Sequence, residues 1–145
     1  MKSTAILELM IRDHARLVKL VKNLEDRLKD DVPIKMKAFD DLEWAVEKHL
    51  FTEEKAIFTS YQPVNIIQGY KMVPELIKEH NEILNLLRIM RKDLVNSRQF
   101  DFEGFKQKLI DHKTFEEEQL YPKLDQELDA SQKNIIISRI QEIVS

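Results

Sequence analysis

From His49 the chain reads HLFTEEKAIF, and from His112 it reads HKTFEEEQLY. In both stretches a histidine is followed four and five residues on by glutamates, then by an aliphatic residue and an aromatic one at matched offsets. An imidazole and a carboxylate one helical turn apart share a helix face. As N and O donors they suit iron, zinc, manganese or copper rather than magnesium or calcium. The other two histidines of the chain repeat a second pattern. IRDHARLVKLV surrounds His14 and IKEHNEILNLL surrounds His80, each with Ile, a basic residue, an acid, His, and an aliphatic residue three positions later.

All four histidines fall inside apolar stripes. His14 follows Met10 and Ile11 and precedes Leu17 and Val18; His49 follows Ala45 and Val46. His80 lies between Leu76/Ile77 and Ile83/Leu84, and His112 between Leu109 and Phe115. One histidine on an apolar face is ordinarily a hydrogen-bonded core residue. Four of four, joined by Glu53 and Glu116 on the same inward faces, ask for more. An unpaired ionised carboxylate in a core costs several kcal/mol or takes up a proton, and a cation removes that cost. Six protein ligands exceed what a tetrahedral structural zinc uses. They suit two metals, each with two histidines, with both glutamates bridging and positions left open for an oxo or hydroxo bridge, water or an exogenous ligand.

The elements that must position these groups follow from periodicity. A first helix is expected from near Ser3 and Thr4 to about Asp30, and a second from Pro33 to about Thr59. The non-periodic SYQPVNIIQGY, with Tyr61 and Tyr70 able to shield one end, reads as a loop. A third helix is expected from near Met72 to Asn96 with Pro74 in its first turn. A fourth runs from about Asp101 to near Leu128, kinked at Pro122. A short amphipathic helix follows at about 130–144, with Ile136, Ile137, Ile140 and Val144 on one side, packed on this chain or on a second subunit. Trp44, Phe39, Phe51, Phe58, Phe102, Phe105, Phe115 and Tyr121 read as packing residues, with Phe51 and Phe115 able to line a dry pocket over the metals. The fold class is all-α: an antiparallel up-down-up-down four-helix bundle (about 3–128) plus the C-terminal helix, in a single domain, 1–145.

Composition agrees with helices. Of 145 residues, 43% are hydrophobic and 34% charged, with 2 Gly and 4 Pro, too few for a turn-rich sheet protein. No cysteine is present, which excludes disulfides, thiolate zinc sites and thiol catalysis. The 23 basic and 26 acidic residues are mixed along the chain, giving a net charge of −3 and no basic stripe for nucleic acid. No apolar run is long enough to span a membrane, and the chain reads as cytoplasmic.

The order H…HxxxE…H…HxxxE, with helix-length spacings and the HKTFEEEQLYP ending, resembles the hemerythrin-like family of HHE cation-binding domains over almost the whole chain. The resemblance implies a four-helix bundle holding a carboxylate-bridged pair of non-haem irons (Fe2+/Fe3+), with zinc or manganese as substitutes. It assigns His14 and His49 to one iron, His80 and His112 to the other, and Glu53 and Glu116 to the bridges. Oxygen carriers of the family place the second bridging carboxylate five residues after its histidine, so Glu117 competes with Glu116, and Glu54 shadows Glu53. On an α-helix a five-residue offset lies about 140° from the histidine and a four-residue offset about 40°, which favours Glu53 and Glu116. Glu54 and Glu117 then fall around or outside the site, and Asp13 and Glu79 are expected in solvent, with a smaller chance of orienting an imidazole. Oxygen carriers also have a fifth histidine one turn from the third-helix ligand, where this chain has Leu76 and Leu84. That points to members that sense iron, oxygen or redox state, or handle nitric oxide or peroxide, rather than to reversible oxygen carriage. Turnover would need an electron donor that this domain lacks. The alternative is a helical adaptor with structural or vestigial metal binding, engaging a protein partner or a second copy through the C-terminal helix.

Overall fold

The computed structural model describes residues 5–59 and 66–144. The caps expected at Ser3 and Thr4, and the role given to Tyr61, lie outside them. Among the described residues every regular element is helical, and no helix is long and apolar enough to cross a membrane. The elements are α1 (Ala5–Arg27), α2 (Val32–Thr52) running on into a π-helical turn π1 (Glu53–Phe58), α3 (Ile66–Val95), α4 (Phe102–Phe115) running on into π2 (Glu116–Leu120), α5 (Tyr121–Glu127) and α6 (Ala130–Val144).

Each begins and ends for local reasons. Asp31 precedes α2 with extended backbone, its carbonyl receives the N–H groups of Ile34 and Lys35, and Pro33 occupies the first turn. Asp101 caps α4 by accepting the Gly104 N–H at 3.0 Å. Ser97 adopts a left-handed conformation (φ 54°) after α3, and the Arg98 N–H closes back on the Asp93 carbonyl at 2.7 Å. The first turn of α1 is capped from a distance: the N–H groups of Ile6 and Leu7 donate to the two carboxylate oxygens of Asp125 in α5, at 3.2 and 3.0 Å.

Helix α1 packs on α2, α2 on α3, α3 on α4, and α4 returns to α1, so the four long helices close a ring. The core inside is two clusters. One gathers Leu17, Val21 and Leu24 with Phe39, Leu42, Val46, Ile83, Leu87, Met90, Phe105 and Leu109. The other gathers Ile6 and Met10 with Ile57, Leu76, Leu120, Tyr121 and Leu124, and with Ile136 and Ile140 of α6. The isoleucine face of α6 is therefore buried on its own chain, against α2 and π1.

Three expectations change. Helix α3 begins at Ile66, so the second half of the expected loop is helical and Pro74 stands inside the helix rather than in its first turn. Proline removes one helical hydrogen bond there, and the rest of this 30-residue helix outweighs it. Helices two and four are not continuous α-helices, since both widen to π geometry at the glutamate of the repeated frame. In π2 the Tyr121 N–H reaches the Glu116 carbonyl five residues back, and Pro122, without an N–H, follows at once. Finally, Trp44 and Phe51 are not packing residues but are 63% and 50% exposed.

Candidate metal centre

Between the two apolar clusters lies a layer of polar side chains. His14, His49, Glu53, His80, His112 and Glu116 are all buried, one imidazole from each long helix and one glutamate from the first position of each π-turn. All six residues singled out in the sequence are thus brought to one place.

Their inward atoms converge. His14 Nε2 lies 3.2 Å from His49 Nε2 and 3.1 Å from Glu116 Oε1. Glu116 Oε1 is 3.4 Å from His49 Nε2, while its Oε2 is 3.2 Å from His112 Nε2. Glu53 Oε1 is 3.2 Å from both His49 Nε2 and His80 Nε2 and 3.8 Å from His112 Nε2. The donors fall into two overlapping groups of metal-binding geometry: Glu53, His80, His112 and Glu116, and His14, His49 and Glu116. Glu116 belongs to both.

The outward nitrogens are held in a ring. Asp13 of α1 sits 2.5 Å from His49 Nδ1, and Glu79 of α3 sits 3.4 Å from His112 Nδ1. Glu54 of π1 sits 3.1 Å from His80 Nδ1, and Glu117 of π2 faces His14 Nδ1 at 3.3 Å, off the hydrogen-bonding direction. Asp13 and Glu79 are therefore not simply solvated, and Glu54 and Glu117 are neither at the centre nor free. A carboxylate on Nδ1–H fixes the tautomer whose Nε2 lone pair faces inward, the arrangement found behind metal-ligating histidines.

Tyr121 is the residue that sequence reasoning passed over. Its hydroxyl, wholly buried, donates to Glu53 Oε2 at 2.7 Å and lies 3.1 Å from Glu116 Oε1 and 3.4 Å from His14 Nε2. Phe58 stands at the matching position of the first frame and stacks on His80, ring centroids 5.8 Å apart. The available signal was that one difference: two matched frames that agree in aromatic position but differ in a hydroxyl. Phe51 and Phe115 do not line the apolar cavity that reaches the histidines. That cavity lies between α1 and α4, walled by Leu17, Val18, Val21, Leu109 and Ile110.

Electrostatics decide whether the site suits a cation. Burial opposes charge on His49, yet Glu53, Asp13 and Glu116 outweigh it and hold the imidazole's pKa well above its ordinary value. The same contest, with Glu116 and Glu53 as partners, lifts His112 to about 10. Glu53 stays well below the usual carboxylate range despite burial, because His49 and the hydrogen bonds around it favour its anion. Glu116 is also lowered, against burial and the neighbouring Glu53, by His112 and His14. Burial and both glutamates push the Tyr121 phenol well above 10, so it remains a donor. The layer thus carries two buried anions that demand positive charge. Glu53 Oε1, His80 Nε2, His112 Nε2 and Glu116 Oε2 lack hydrogen-bond partners although they face one another. Groups in such proximity, acceptors turned toward a common point, fit a divalent or trivalent cation of borderline hardness.

A family model described as "Hemerythrin HHE cation binding domain" matches residues 5–124. No curated protein and no solved structure gives a significant match.

Proposed function

The chain belongs to the hemerythrin HHE cation-binding domain family, and on that premise we propose that it is a single hemerythrin-like domain, an antiparallel up-down-up-down four-helix bundle with α6 packed outside, that binds two irons through His14, His49, Glu53, His80, His112 and Glu116. His14 and His49 would hold one ion and His80 and His112 the other, with zinc or manganese able to substitute. The observation that carries this reading is the shared Glu116, which turns one oxygen toward each histidine pair. Glu53 supports it with an Oε1 close to histidines of both pairs.

When bound, such a pair supplies redox change and coordination positions for a small exogenous molecule. The protein's own part is positioning. Asp13, Glu54 and Glu79 orient three of the imidazoles from behind, Tyr121 fixes one glutamate by its outer oxygen, and the apolar clusters on either side exclude water. With no fifth histidine, sensing of oxygen, nitric oxide, peroxide or iron and redox state fits better than oxygen transport. The adaptor reading loses its motive, because the isoleucine face of α6 is used within the chain.

The deciding experiment is elemental analysis with the ultraviolet–visible spectrum on wild type, Glu53→Ala and Glu116→Ala after anaerobic loading with ferrous iron. Two irons per chain with bands of a bridged diferric pair after oxidation, diminished in both variants, is the expected result. Less than one iron in the wild type would sink the proposal.

A further inference from the structure

The cavity between α1 and α4 has a volume of about 250 Å³. Its walls are the side chains of Leu17, Val18, Val21, Leu109 and Ile110, and its inner end is formed by His14, His49 and His112. Lys22, Glu25, Lys106 and Lys113 stand at its mouth. A diatomic molecule or a peroxide would fill only a small part of that space. An enclosed apolar cavity of ~150 Å³ takes up benzene or xenon, and this one, open at one end, has room for a molecule of that size.

The mouth narrows the choice. Its charges are spent on one another and on their neighbours: Lys106 pairs with Glu25 at 3.1 Å, across the gap between the two helices. Lys113 pairs with Glu117 at 3.2 Å and Lys22 with Asp26 at 3.6 Å. An anionic headgroup would meet a carboxylate already beside each of these ammonium groups, whereas an uncharged molecule enters the apolar walls without desolvating a charge.

We propose that this cavity is a binding site for an uncharged, apolar organic molecule of about the size of a benzene ring or a short branched hydrocarbon, held beside His14, His49 and His112. The site deepens the metal-binding reading by naming what could lie next to the ions. It rests on that reading only for the chemistry that would follow, since the walls exist without metal.

The test uses the metal-free full chain with methyl-labelled Leu, Val and Ile, titrated with benzene and, separately, with benzoate. Benzene should give saturable shifts at the Leu17, Val18, Val21, Leu109 and Ile110 methyls, and benzoate should bind at least tenfold more weakly. Val21→Trp fills the cavity and should abolish the benzene shifts while iron uptake stays at the wild-type level. Should the tryptophan variant fail to fold, Val21→Phe serves, with at least a tenfold loss expected. No saturable shift in the wild type, equal binding of benzoate, or benzene shifts that survive the filled variant would each overturn the inference. Benzene binding without iron uptake would support the cavity while removing the metal reading, so the two fail separately.

Discussion

At the residue scale the centre is a set of buried charges that protons balance whenever no metal is bound. The raised His49 and His112 would carry protons near neutral pH in the metal-free protein, and a metal must displace them. Loading at pH 7.5 should release roughly two protons per chain, measured as the dependence of calorimetric heat on buffer ionisation enthalpy. Buffer-independent heat would contradict the raised values. The same shifts set the stability of the metal-free fold. An imidazole raised from 6.5 to about 10 contributes fully below 6.5 and loses that contribution as pH climbs through 10. Glu116, lowered from 4.5, contributes above 4.5 and loses it as pH falls. The metal-free protein should therefore be most resistant to urea between about pH 4.5 and 6.5, with resistance declining above that range; a flat profile up to pH 9 would be the contrary result. Tyr121→Phe takes the 2.7 Å donor from Glu53, which should destabilise the metal-free protein by about 1–3 kcal/mol, read from the urea midpoint. Much of this layer was legible, because inward histidines and glutamates stand out against apolar stripes. The back-side carboxylates were not, since each belongs to a different helix from the imidazole it meets, and one-dimensional spacing cannot pair them. Tyr121 hid among aromatics that pack well without their hydroxyls.

At the element scale the feature that matters is the π-turn at each glutamate. By α-helical angles Glu53 and Glu116 are expected inward and Glu54 and Glu117 around or outside the site, and the structure has the first pair buried and the second pair behind imidazoles; what the angles do not give is which imidazole each of the second pair meets. Those two point across to His80 and His14. Single π-turns within α-helices are frequent at functional sites, and here Thr52 and Thr59 accompany π1 by donating to the carbonyls of Lys48 and Lys55, each at 2.7 Å. The wide turn already absorbs one extra residue, so inserting a further alanine after the exposed Lys55 should swing Ala56 and Ile57, both fully buried, out of the second cluster by about 100°. The expected readout is a Tm at least 10 °C lower, whereas Lys55→Ala should leave it nearly unchanged. Sequence periodicity located the long helices well because their apolar stripes run for many turns. It missed the early start of α3, where Pro74 reads as a first-turn residue although the helix already runs from Ile66. It also overcounted inward positions: Val18 lies in the expected stripe yet is 46% exposed, since that side of α1 borders the cavity instead of a packed neighbour.

At the scale of the whole molecule, Asp125 joins three elements. It caps α1 through two backbone N–H groups and lies 3.4 Å from Lys133 of α6, both side chains almost wholly buried. Asp125→Ala should cost about 3 kcal/mol, seen as a lowered urea midpoint, with iron content of the folded fraction unaffected. A loss of iron at full stability would mean that Asp125 acts on the centre instead. Sequence placed α6 correctly along the chain but left its partner open, because an amphipathic face does not say which surface it covers; the contacts of Ile136 and Ile140 do. The carboxylate ring also ties the two halves of the chain to each other. Within α1–π1, Asp13 serves His49; within α3–π2, Glu79 serves His112; but Glu54 crosses to His80 and Glu117 crosses back to His14. Neither half closes its own circuit, and each supplies the link that the other lacks. Such reciprocity is the pattern of contacts in an isologous pair, realised here between the two helical hairpins of one chain, with Phe58 against Tyr121 as the place where their matched frames differ.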